Sequence, residues 1–89
     1  MQSKHLIIKG KVQGVFYRAT AKEKAIELGI KGWIKNTNEG DVEAIISGNN
    51  EDLEQFIAWC KIGPAKANVT DVLIKEIENN EFKDFKVIR

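Results

Sequence analysis

The apolar residues of this chain recur first at every second position, then at helical spacing, then at every second position again, and the order of those changes leaves few folds open. From Lys4 to Val12, Leu6, Ile8 and Val12 fall on one side and His5, Ile7 and Lys9 on the other, the pattern of a strand. Tyr17, Ala21, Ala25 and Leu28 then recur at helical spacing opposite Lys22, Glu23 and Glu27, and Gly29 suits the position just past that helix. Alternation returns over Ile30 to Asn36, with Ile30, Gly32 and Ile34 against Lys31, Trp33 and Lys35, and again over Asp41 to Ser47, with Val42, Ala44 and Ile46 on one face. The short stretch between, closed by Gly40, predicts a hairpin. A second helix is expected after Asn49 or Asn50. Glu51 and Asp52 suit its first turn, Leu53, Phe56, Ile57 and Cys60 make its apolar stripe, and Lys61, Gly63 and Pro64 stop it. Two last extended segments, roughly Val69 to Ile77 and Phe82 to Ile88, surround a turn-like Asn79-Asn80.

The order is β-α-β-β-α-β with a short extra terminal strand. It predicts an α+β, ferredoxin-like split βαβ sandwich, an antiparallel sheet with both helices on one face. A chain of 89 residues has room for one hydrophobic core, so residues 1–89 are expected to form a single domain. Hydrophobic residues at 43% and charged residues at 30% match ordinary globular usage rather than disorder or low complexity. No run approaches the roughly 18 apolar residues of a membrane span, and the N-terminus lacks the apolar core of a signal peptide. A cytoplasmic monomer with no membrane partner is expected. Fourteen Lys and Arg against thirteen Asp and Glu leave a formal charge of +1, too weak a field to gather nucleic acid.

What the chain lacks restricts its chemistry further. One Cys (Cys60) and one His (His5) cannot supply the N/S ligands of a typical zinc site, so no metal is expected. The same scarcity removes the usual partners that activate a Ser or Cys nucleophile. Catalysis here would have to work by positioning. Topology supplies the means: two strands joined by a helical crossover run parallel, so their C-terminal ends share one edge of the sheet. With another strand between them, the loop Gln13 to Arg18 and Asn36 are expected about 10 Å apart, so that the long Arg18 side chain and the Asn36 side chain can face one small ligand. Gly14 permits a tight backbone path, successive N–H groups of the loop can point into one concavity, and the following helix adds the positive end of its dipole. Arg18 supplies a planar, permanently charged fork suited to phosphate. Taken alone, the loop is equally that of a tight turn followed by a surface Arg; its juxtaposition with Asn36 is what points to a phosphate site.

The residues that carry this reading also carry a family resemblance. Gly10-Lys11-Val12-Gln13-Gly14-Val15-Phe16-Tyr17-Arg18 resembles the first acylphosphatase signature, Gly-x-Val-Gln-Gly-Val-x-(Phe/Tyr)-Arg, at every fixed position. Gly32-Trp33-Ile34-Lys35-Asn36-x-x-x-Gly40-x-Val42, followed by Gly48, resembles the second, with Ile34 where the family usually carries Val, Ala or Cys. Phe16 is bulkier than the residue common at its variable place. The resemblance spans essentially the whole chain. It implies hydrolysis of the carboxyl-phosphate anhydride of a small-molecule acyl phosphate, with no metal or cofactor. It further implies that Arg18 binds the phosphate, that the backbone of Gly14, Val15, Phe16, Tyr17 and Arg18 completes the cradle, and that Asn36 orients the attacking water. An acyl phosphate is already activated, so positioning and electrostatic stabilisation can suffice.

The remaining polar residues receive plainer readings. The Thr37 hydroxyl is expected to hold the Asn36 side chain, the alternative being that it satisfies the hairpin backbone. His5 reads as a surface or edge residue, Cys60 as core, Tyr17 and Trp33 as packing residues first. Lys9, Lys11, Lys31 and Lys35 read as solvated strand positions, and Arg89 as pairing its charge locally or staying mobile. Two other functions fit the element order. A non-catalytic phosphate- or acyl-phosphate-binding module would keep the cradle and act through a partner, and the presence of both Arg18 and Asn36 favours the enzyme. An RNA-binding domain would need the aromatic-rich strand pattern that this chain lacks.

Overall fold

A computed structural model describes all 89 residues. Its elements are β1 (Gln2–Lys11), α1 (Tyr17–Leu28), β2 (Lys31–Asn36), β3 (Val42–Gly48), α2 (Asn50–Cys60), β4 (Asn68–Ile77) and β5 (Phe85–Val87). The apolar faces read from the sequence meet in one cluster. Leu6 and Ile8 of β1, Ile34 of β2 and Val42, Ala44 and Ile46 of β3 are fully buried beneath Tyr17, Ala21 and Ala25 of α1 and Leu53, Phe56 and Cys60 of α2. Burying a side chain the size of Phe56 or Leu53 contributes about 1.5–3 kcal/mol, so this layer carries most of the fold's stability. Leu28 packs on the cluster's margin, and Phe85 closes it from β5, its ring 6.0 Å from that of Phe56. No helix is long and apolar enough to cross a membrane.

The strands lie in the order β4-β1-β3-β2-β5. β3 therefore separates β1 from β2, as the split arrangement requires. β1 pairs antiparallel with both β3 and β4, from Ser3 opposite Ser47 and Ile77 up to Ile8 opposite Val42 and Val72. The register with β4 shifts between Lys9 and Gly10, where the backbone of Gly10 (φ 118°) runs so close to β4 that a Cβ would lie 2.1 Å from the Asn68 carbonyl oxygen. Only glycine fits that approach.

The last strand corrects two expectations. β5 covers Phe85–Val87 rather than Phe82 to Ile88, and it pairs parallel with β2, so the sheet is mixed rather than wholly antiparallel. The path of the chain explains both. β4 ends beside the start of β1, and β5 belongs at the far edge, so residues 78–84 must pass beneath the sheet. They do so in the order of the strands: Asn80 N–H donates to Ser3 Oγ, the Ser47 hydroxyl donates to Asn80 O, Lys31 Nζ donates to Lys83 O and Gly32 N–H donates to Asp84 O. A strand that begins at this end can only run upward alongside β2. Asn79-Asn80 opens this crossing and is not the turn of a hairpin. His5 is likewise no edge residue, because β1 is flanked on both sides; it lies on the face away from the helices with its Nε2 2.7 Å from Glu43 Oε2.

Candidate active site

The segment between β1 and α1 alternates inward and outward. Val15 and Tyr17 are buried and anchor it to the core, while Gly14 and Phe16 face out, Phe16 with 74% of its surface exposed. Gly14 (φ 73°) and Phe16 (φ 65°) both occupy the left-handed region, and Phe16 is the one non-glycine residue to do so. For a bulky aromatic that conformation is unfavourable, and here the buried residues on either side impose it. Alternating left-handed residues turn neighbouring N–H groups toward a common point. The first hydrogen bond of α1 runs from Thr20 N–H to Phe16 O, and no side chain caps the helix start. Its first turn also holds no acidic residue, whereas α2 has Glu51 and Asp52 there to complement its own dipole. The positive end of α1 is thus open to an anion.

Two further contacts fix this loop. The Tyr17 hydroxyl donates to Cys60 O at 2.7 Å, tying the start of α1 to the end of α2, and burial pushes the phenol pKa upward, so it stays a donor. Gln13 Nε2 donates to Thr37 O at 2.9 Å and to Asp41 O at 2.8 Å, tying the loop to the β2–β3 hairpin. The second contact brings Arg18 and Asn36 to one place.

That place is a cleft of about 410 Å³ lined by Val12, Gly14, Phe16, Tyr17, Arg18, Ala19, Asn36, Val87 and Arg89. Arg18, half-buried in the first turn of α1, donates from Nη1 to Ile88 O at 3.3 Å. Asn36 ends β2, and its Oδ1 is buried without a hydrogen-bond partner. Buried acceptors are nearly always paired, so an unpaired one in a cleft marks a place for a donor. No acidic residue lines the cleft.

Thr37 does not hold Asn36. Its hydroxyl accepts from Asp41 N–H at 3.1 Å and lies 3.4 Å from Asp41 O, so it satisfies the hairpin, the alternative noted above. The strand lysines point elsewhere as well: Lys9 pairs with Asp41 at 3.0 Å and Lys35 with Glu43 at 3.7 Å. Cys60 is fully buried in the core. Sequence reasoning missed Gln13 as the tether, and it missed Val87 and Arg89 as walls of the cleft. Val87 and Arg89 become visible only once β5 is known to run parallel to β2. Gln13 carried a signal, since a long amide after a strand end can bridge neighbouring backbone.

Comparison with known proteins follows the same residues. The acylphosphatase family model matches residues 4–87, which include both the Gly14 loop and Asn36. An acylphosphatase of Methylococcus capsulatus is 42% identical over 90 residues, covering 100% of this chain and 98% of its own. Among solved structures, an acylphosphatase from Coxiella burnetii superposes with a TM-score of 0.95 at 38% identity, covering 98% of this chain and 92% of that one. Another from Bacillus subtilis gives a TM-score of 0.96 at 30% identity and spans 100% of both chains. A cleft that joins two distant signatures, in a fold matched end to end, leaves one assignment: this chain belongs to the acylphosphatase family and is a hydrolase acting on acid anhydrides.

Proposed function

We propose that the chain hydrolyses acyl phosphates by positioning alone, with Arg18 and Asn36 as its catalytic residues. The Arg18 guanidinium binds two phosphoryl oxygens, and the N–H groups of Gly14 through Arg18 surround the others. Asn36 Oδ1 accepts a hydrogen bond from a water molecule and orients it toward phosphorus. The water oxygen forms the new P–O bond, the bond to the acyl oxygen breaks, and the carboxylate departs with the electron pair. A phosphoryl oxygen of the substrate takes the water's proton, because the cleft presents no titratable side chain suited to act as a base near neutral pH. No metal or cofactor takes part. Thr37 supports Asn36 indirectly, by closing the hairpin on which it sits.

The observation that carries this reading is the unpaired, buried Asn36 Oδ1 in the same cleft as Arg18 and Gly14. An acceptor there suits the O–H of a nucleophilic water and not the phosphate, which has only acceptors to offer when fully ionised. The protein is proposed to work on a small-molecule substrate as a single-domain monomer in the cytoplasm, without a nucleic-acid partner. The test is hydrolysis of a simple acyl phosphate in excess chelator by the wild type, Arg18→Gln and Asn36→Ala. Turnover is expected to survive the chelator, to fall together with phosphate binding in Arg18→Gln, and to disappear with phosphate binding retained in Asn36→Ala. Wild-type protein that binds phosphate without turnover would identify a binding module instead.

A further inference from the structure

The mechanism above uses one of the two arginines in the chain. We propose that the other, Arg89, is a second substrate-binding residue of the same cleft, contacting the phosphoryl group from the β5 flank; this rests on reading the cleft as the phosphoryl site.

The placement follows from the parallel pairing of β5. Gly32 lies opposite Phe85 and Ile34 opposite Val87, and Ile88 N–H continues the ladder by donating to Ile34 O at 2.8 Å. Extended by two residues beyond the strand, the same register brings Arg89 level with Asn36, and both line the cleft. Arg18 then locks this end of the chain in place, since its Nη1 donates to Ile88 O, the carbonyl immediately before Arg89. Asn36 thus lies between the Gly14 loop at the end of β1 and Arg89 at the end of β5, with Arg18 reaching across to the β5 end, and all of them line one cleft.

The charges point to the ligand. Every ion pair in the structure is made by His5, Lys9, Lys24 or Lys35, so neither arginine has a carboxylate partner. Two permanently charged guanidinium groups therefore belong to a cleft that no Asp or Glu side chain lines, so an anion entering it meets cations that no acidic side chain neutralises. A phosphoryl dianion matches that pair better than a monoanion does, and a planar fork can engage two of its oxygens. Arg89 is exposed, so its contribution is that of a screened surface contact and smaller than that of Arg18.

The experiment uses the full chain as wild type, Arg89→Gln, Arg89→Lys and Arg18→Gln. Inhibition by inorganic phosphate, kcat and KM on a simple acyl phosphate, and the thermal midpoint are measured at low and raised ionic strength. Arg89→Gln is expected to raise both the phosphate inhibition constant and KM by about three- to tenfold, with a smaller loss in kcat and an unchanged thermal midpoint. Arg89→Lys should recover part of that loss, and the salt dependence of phosphate inhibition should be shallower in Arg89→Gln than in the wild type. Equal phosphate inhibition in Arg89→Gln and wild type, at both ionic strengths, would overturn the inference while leaving the roles of Arg18 and Asn36 intact. A loss that tracks a lowered thermal midpoint would also overturn it, by showing Arg89 to be structural. Wild-type protein indifferent to phosphate would remove this inference and the underlying function together.

Discussion

At the end of the sheet where β1 begins, Ser3 and Ser47 are buried and their hydroxyls meet each other, the Asn79 side chain and both backbone groups of Asn80. At the end where β2 stops, Asn36 Oδ1 is buried with nothing to accept from, and the open N-terminus of α1 faces it across the cleft. The two ends use the same kinds of group, short polar side chains and backbone N–H, on strands of one sheet. What differs is whether the partners are supplied from within. Where the chain supplies them, the polar cluster pins the crossing 78–84 and so sets the direction of β5. Where it does not, the groups are left aimed at a ligand, and the closed end sustains the open one by keeping β5 in register.

That contrast breaks most severely at Asn36. Asn36→Ala is expected to lower kcat by about 10²- to 10³-fold while phosphate inhibition changes little, read from initial rates with phosphate as competitor. Arg18→Gln comes next, lowering kcat/KM by about 10²-fold and weakening phosphate inhibition with it. At the closed end the effect should move from activity to stability. Ser3→Val leaves the Asn80 N–H without its acceptor and the Asn79 side chain without its donor, while Ser47 keeps its bond to Asn80 O. It should cost about 1–3 kcal/mol in denaturant unfolding, with KM of the folded protein unchanged. A KM shift there, without loss of stability, would dissolve the distinction between the ends.

Alkaline pH sharpens the comparison from the core. Burial pushes the Cys60 thiol up from 9.0 to about 12, and the Tyr17 phenol moves upward for the same reason. The unfolded chain releases the Cys60 proton above pH 9.0 and the folded chain holds it until about 12, so stability is flat below that window and declines across it. Urea unfolding followed from neutral to alkaline pH should show this decline, and Cys60→Ala should make it shallower. The smallest effect is expected from His5→Gln. The His5–Glu43 contact lies on the opposite face of the sheet, and kcat and KM should stay within about twofold of wild type from pH 6 to 8. A neutral-range pH profile that vanishes with His5 would contradict catalysis by positioning alone.

Most of the fold is legible because its signals are local. The switch of period at Tyr17 and again at Ile30, the acids and stop residues around α2, and the Gly40 turn each lie within a few residues of what they determine. The meeting of the Gly14 loop with Asn36 also follows, because the crossover rule converts a local order into a shared edge. The start of β5 escapes the sequence for the opposite reason: Phe82 to Asp84 read as part of an extended segment, yet the backbone carbonyls of Lys83 and Asp84 are engaged by Lys31 and Gly32 in the crossing. The parallel pairing, and with it the place of Arg89, depends on contacts that no periodicity encodes. Thr37 shows a finer limit, since adjacency to Asn36 suggested a partner that hairpin geometry gave to Asp41.

The position of β1 has a consequence for how the molecule comes into being. Ser3 lies opposite Ser47 on one side and Ile77 on the other, so this interior strand gains its flanks only after two long loops close. Closure entropy is met before those contacts repay it, and folding should be slower than that of a helical bundle of equal length. Until β4 arrives, Leu6-Ile7-Ile8 presents an unpaired apolar edge, and the interval before that arrival sets how long the nascent chain is open to aggregation.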